Sequence, residues 1–124
     1  MHKCLTYFLI YSKKIINMEN VIKELDLNGE VVSSMTDQTL EIGRCEEYDV
    51  DINNMVRKSI NSLVGKESIL LSLKEKYNLE LYLSKVVMLD TKSDEPTPIL
   101  SLDADIVEFL YKTSVVDDID YYLY

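Results

Sequence analysis

An α+β fold, a mostly antiparallel sheet with helices packed on one face, is what this chain predicts, and three observations predict it. Segments that alternate like strands, above all Leu79–Asp90, sit beside segments with apolar residues at helical spacing. Lys92-Ser93-Asp94-Glu95-Pro96-Thr97-Pro98 reads as a turn, because two prolines have no place inside a paired strand. The final stretch, Asp117-Asp118-Ile119-Asp120-Tyr121-Tyr122-Leu123-Tyr124, alternates as a strand and is hydrophobic enough to need a place in the sheet.

The elements follow in order. Cys4–Tyr11 is apolar on both alternating faces, as in a central strand. Asn17 caps a helix carrying Met18, Val21, Ile22 and Leu25, and Asn28-Gly29 supplies its left-handed stop. Glu30–Ser34 and Gln38–Gly43 form two short strands around Met35-Thr36-Asp37. Asp49 or Asp51 opens a second helix, with Ile52, Met55, Val56, Ile60 and Leu63 on one stripe and Gly65 at its end. A third helix turns Ile69, Leu70, Leu73 and Tyr77 inward and closes at Asn78. Leu79–Asp90 is the longest strand, with Leu79, Leu81 and Leu83 facing one way. Ile99–Leu102 returns as a strand, Ser101 or Asp103 caps a last helix, and the closing strand follows. The predicted order is β-α-β-β-α-α-β-β-α-β, in one domain spanning residues 1–124.

Charge narrows the function classes. Thirteen basic and 22 acidic residues give −9. Residues 91–124 alone hold two bases and eight acids. Such a field repels a phosphate backbone, so nucleic acid is not an expected partner; a basic protein is. Cys4 and Cys45 lie far apart without CxxC spacing, and the single histidine, His2, sits at a terminus expected to fray. A zinc site, which takes about four ligands, is therefore not expected, and Cys4 reads as a buried thiol. The apolar start is too short and too soon followed by Lys13-Lys14 for a signal peptide, and no run reaches the roughly 18–20 apolar residues of a membrane span. A cytoplasmic protein without membrane contact is the expectation.

The segments ILLSLKEKYNLELYLSKVV, PTPILSLDADIVEFL and DIDYYLY, in that order over Ile69–Tyr124, resemble the domain of unknown function 4279 family. Over Leu27–Asp51 the chain lacks the proline after the first helix and the tryptophan in a middle strand that the family pattern carries. The resemblance brings no established activity. It implies a small bacterial or phage cytoplasmic α+β domain, similar to the immunity proteins of toxin–immunity systems.

No reaction is announced by the residues. There is no Gly-x-Ser-x-Gly elbow, no histidine placed as a base, and Gly29, Gly43 and Gly65 are scattered too widely to cradle a phosphate. An enzyme is not expected, nor a cofactor. Asp103-Ala104-Asp105 lacks the glycine of a calcium loop and fits a helix N-terminus, so no metal is expected there. The candidate partner-binding residues are Asp117, Asp118, Asp120, Tyr122 and Tyr124 at the end of the chain, with Glu46, Glu47 and Tyr48 as a second group. Carboxylates attract a cationic surface, and tyrosine gives rigid contact area with a polar end. The expected function is a toxin-neutralising immunity protein that occludes a basic partner. The alternatives are a phage inhibitor of a host defence nuclease acting as a nucleic-acid mimic, and a small-ligand or metal-binding domain. The oligomeric state is left open by the sequence.

Overall fold

The computed structural model describes residues 1–48 and 50–124. Alternating apolar residues build β1 (Lys3–Ser12), which buries Cys4, Phe8 and Ile10 and lies at the centre of a five-stranded sheet ordered β2-β3-β1-β4-β5. Next come α1 (Met18–Glu24), capped by Asn17 Oδ1, and one 3-10 turn at Gly29–Val31. They lead into β2 (Val32–Met35) and β3 (Thr39–Glu47). Then α2 (Ile52–Ile60), α3 (Glu67–Tyr77), β4 (Leu79–Leu89), α4 (Ala104–Lys112) and β5 (Val116–Leu123) complete the chain. The β1–β3, β1–β4 and β2–β3 ladders are antiparallel, and β4–β5 is parallel. The fold is the predicted α+β class with a mostly antiparallel sheet.

The connections β1→β2, β3→β4 and β4→β5 each join strands that run the same way, so each crosses the sheet through helices. Right-handed crossovers put all three over one face. Burial agrees with that placement. Thr6, Phe8 and Ile10 of β1 and Leu81, Leu83 and Lys85 of β4 point together into one core with Met55 and Val56 of α2, Leu70 and Leu73 of α3, and Ile106 and Phe109 of α4. The other face carries no helix among the described residues.

Three local expectations are corrected, the alternative at the start of α2 is decided, and the closing strand pairs as expected. Ile99–Leu102 pairs with no strand; it is held as a strap by Asn53, whose Nδ2 donates to Ser101 O and whose Oδ1 accepts from Asp103 N. The helix α1 ends before Asn28, at Leu25 and the left-handed Asp26, and Asn28 instead caps the 3-10 turn. Asp51 caps α2, while Asp49 lies outside the described residues. His2 does not fray: its Nδ1 accepts from Asp90 N at 3.0 Å and its Nε2 lies 3.0 Å from Glu95 O, which buries the ring under the segment after β4. Finally, β5 pairs into the sheet but buries no side chain; Ile119 is 39 % exposed and Tyr121 56 %.

Candidate functional site

The site is prepared by one glycine. Between Thr6↔Cys45 and Phe8↔Ile42 the β1–β3 register gains a residue on β3, so Gly43 and Arg44 both stand opposite Tyr7. Gly43 takes φ +68°, a left-handed conformation that glycine adopts without strain, and forms a bulge. Beyond a bulge the side-chain alternation inverts. Leu40 and Ile42 point into the core, and an unbroken strand would send Glu46 and Tyr48 the same way. After the bulge Cys45 and Glu47 take the helix side instead, and Glu46 emerges on the open face beside Leu5.

On that face the two predicted groups approach one another. Across four strands run Glu46, Leu5, Val86 and Asp120 in register. Three strand spacings separate the first from the last, roughly 14 Å. The neighbouring row holds Lys3, Met88 and Tyr122. Lys3 links the halves: its ammonium pairs with Glu46 and lies 5.3 Å from the centre of the Tyr48 ring. Hydrogen bonding to Lys3 holds the Glu46 carboxyl below its ordinary range and raises Lys3 in turn. Tyr124 donates its hydroxyl to Met1 O, and burial of that hydroxyl, followed by the nearby Asp90 charge, pushes its ionisation up. Asp118 and Asp120 make no ion pair among the described residues.

Six of the predicted residues therefore share the open face: Glu46, Tyr48, Asp118, Asp120, Tyr122 and Tyr124. The other two do not. Glu47 lies on the helix side, paired with Lys58 at 2.9 Å. Asp117 also points to the helix side and holds the buried Lys85. Sequence reasoning missed the rest of the face: Tyr7, Leu9 and Tyr11 of β1 and Tyr82, Val86 and Met88 of β4, all partly exposed. Six of the nine tyrosines lie here. The available signal was chemical: β1 is apolar on both sides, but only one side carries hydroxyl-bearing tyrosines, which favour a wet face over a sealed one.

The acids at the start of α4 serve the fold. Asp103 stands at the N-cap without bonding the helix amides, and Arg57 Nη2 clasps Asp103 at 3.0 Å and Asp105 at 2.8 Å. A shallow groove of about 290 Å³ lies alongside, lined by Ile60, Phe109 and Lys112. Among the described residues no three His, Cys, Asp or Glu side chains converge where a metal ion could sit, and no helix is long and apolar enough to cross a membrane.

Compared with known protein families, curated proteins and solved structures, the chain matches none.

Proposed function

We propose that this protein is a non-enzymatic binder that neutralises a basic partner by covering its cationic surface, as an immunity protein covers its toxin. The observation that carries the reading is the open face, where Asp118 and Asp120, unpaired among the described residues, stand beside Tyr122 and Tyr124. Two carboxylates on one side of a strand repel each other, and a cation from a partner relieves that repulsion. The tyrosines around them supply contact area that loses little side-chain entropy on binding. Charge of −9 steers a cationic partner toward the face and makes association sensitive to salt.

The test is capture from lysate of the source cell at low and high salt, with the native protein and with Asp118→Lys/Asp120→Lys. The reading expects one basic protein that the native chain retains, salt releases and the double variant fails to hold, with the variant's circular dichroism unchanged. Equal capture by the variant, or no specific protein at either salt, overturns it. A captured toxin supports the immunity role; a captured host nuclease supports the inhibitor role.

A further inference from the structure

The two edges of the sheet are built differently. Edge strand β2 has four residues, polar Ser33 and Ser34, and a break in its register between Val32 and Ser34. Short, polar, irregular edges are the usual protection against unwanted pairing. Edge strand β5 has eight residues in unbroken register, with no proline, glycine or lysine. Its parallel ladder fixes which backbone groups remain free. Tyr124 N donates to Leu89 O and Tyr124 O accepts from Thr91 N, so residues 118, 120, 122 and 124 turn their amides toward β4. Asp117, Ile119, Tyr121 and Leu123 then turn theirs outward, and Ile119, Tyr121 and Leu123 make no other hydrogen bond among the described residues.

We propose that the outer edge of β5 is a strand-addition site, and that its occupant is an extended segment of the partner in which basic residues alternate with apolar ones. This rests on the reading of the protein as a binder of a basic partner. The occupant follows from what each side of the strand presents. On the open face an added strand meets Asp118 and Asp120, which select lysine or arginine. On the helix side it meets Ile119, Tyr121 and Leu123, 39 %, 56 % and 72 % exposed, and an apolar groove lined by Val107, Leu110, Tyr111 and Val115. A second copy of this chain is the wrong occupant. Antiparallel pairing of β5 with itself about Ile119 sets Asp118 of each copy against Asp120 of the other, and in any register it joins molecules that each carry −9. The same aspartates that keep copies apart admit a strand of opposite charge.

The experiment uses the isotope-labelled protein and two capped eight-residue peptides, one alternating Lys and Val and one alternating Glu and Val. Hydrogen exchange at the Ile119, Tyr121 and Leu123 amides is expected to slow at least tenfold with the Lys–Val peptide and not with the Glu–Val peptide. Ile119→Pro removes one outward donor and leaves the β4 ladder intact, because that ladder uses residues 118 and 120. It is expected to weaken Lys–Val binding at least tenfold. Unchanged exchange at these amides, equal response to both peptides, or full binding by a folded Ile119→Pro overturns strand addition. Ile119→Pro that still captures the cellular partner, while Asp118→Lys/Asp120→Lys does not, overturns strand addition alone. Loss of capture by neither variant overturns the binding reading itself.

Discussion

The ammonium of Lys85 meets both carboxylate oxygens of Asp117, at 2.8 and 2.9 Å, across the parallel ladder between β4 and β5. Lys85 is 1 % exposed and stands on the core side of β4 between Leu83 and Val87; Asp117 is 39 % exposed and in register with Leu83. A buried cation needs a partner that cannot drift, and this one fixes the position of the edge strand. A slip of one residue sends Asp117 to the open face, and every other side chain of β5 changes sides with it.

Asp117→Asn leaves that buried charge without its counterion. It is expected to cost about 3 kcal/mol, the low end of the range for a broken buried pair, because solvent reaches the carboxylate. Lys85→Met together with Asp117→Asn is expected to recover most of the loss. Urea unfolding of the single and double variants decides it; a stable Asp117→Asn would mean that Lys85 finds another acceptor.

Gly43→Ala strikes a second tight point. A methyl group there would lie 2.3 Å from Ser59 O of α2, on a backbone already at φ +68°. The strain and the clash together are expected to remove at least about 3 kcal/mol. Lysine at Asp118 and Asp120 serves as the surface control, expected to unfold at nearly the native urea midpoint. Native-like stability of Gly43→Ala would show that α2 does not press on the bulge.

Acid is expected to weaken the fold through Glu46 and Asp90, both held below their ordinary carboxyl range, Glu46 by its hydrogen bond to Lys3 and Asp90 chiefly by its hydrogen bond to the terminal amine. A carboxyl depressed in the folded state contributes stability above its unfolded value, and that contribution disappears as pH falls through the folded one. Urea midpoints should be level near neutrality and fall below about pH 4. Glu46→Gln is expected to flatten part of that fall. The difference should shrink in 1 M salt, since these groups face water. An identical acid limb in native protein and variant would refute the assignment.

The two thiols should separate by reactivity. Burial pushes Cys4 up to about 11, so almost no thiolate exists at neutral pH. Cys45 is also raised, first by burial and then by the Glu47 charge, but is only half-buried. Iodoacetamide at pH 7.5 is expected to modify Cys45 slowly and Cys4 only after denaturant is added, read by mass spectrometry. Rapid labelling of Cys4 in the native protein would show that the start of β1 opens.

What the sequence disclosed and what it hid divide along the range of the causes. Helices α2, α3 and α4 and strands β1 and β4 were legible because their periodicity is local, and Asn17, Asp51 and Asn78 mark helix ends by their own side chains or backbone. The inversion at Gly43 was not legible, because the backbone that leaves no room for a side chain there is that of Ser59, sixteen positions away in another element. In β5 the apolar residues Ile119, Tyr121 and Leu123 alternate with aspartates yet stay exposed, so the pattern did not translate into burial. Lys85, embedded between Leu83 and Val87, broke the alternation of β4 in the sequence, and its explanation sits on a strand thirty-two residues later. Of the site, the acidic and aromatic character was visible; the division of Glu46 from Glu47, and of Asp117 from Asp118, required the register.

The one-sided placement of the helices gives β1, β4 and the bulged β3 two independent vocabularies written on alternate residues. Cys4, Thr6, Phe8 and Ile10 answer to the core, while Lys3, Tyr7, Leu9 and Tyr11 answer to whatever lies outside. A chain so arranged can be rewritten at every second position of its middle strands, changing its outer surface while leaving the interior that folds it untouched.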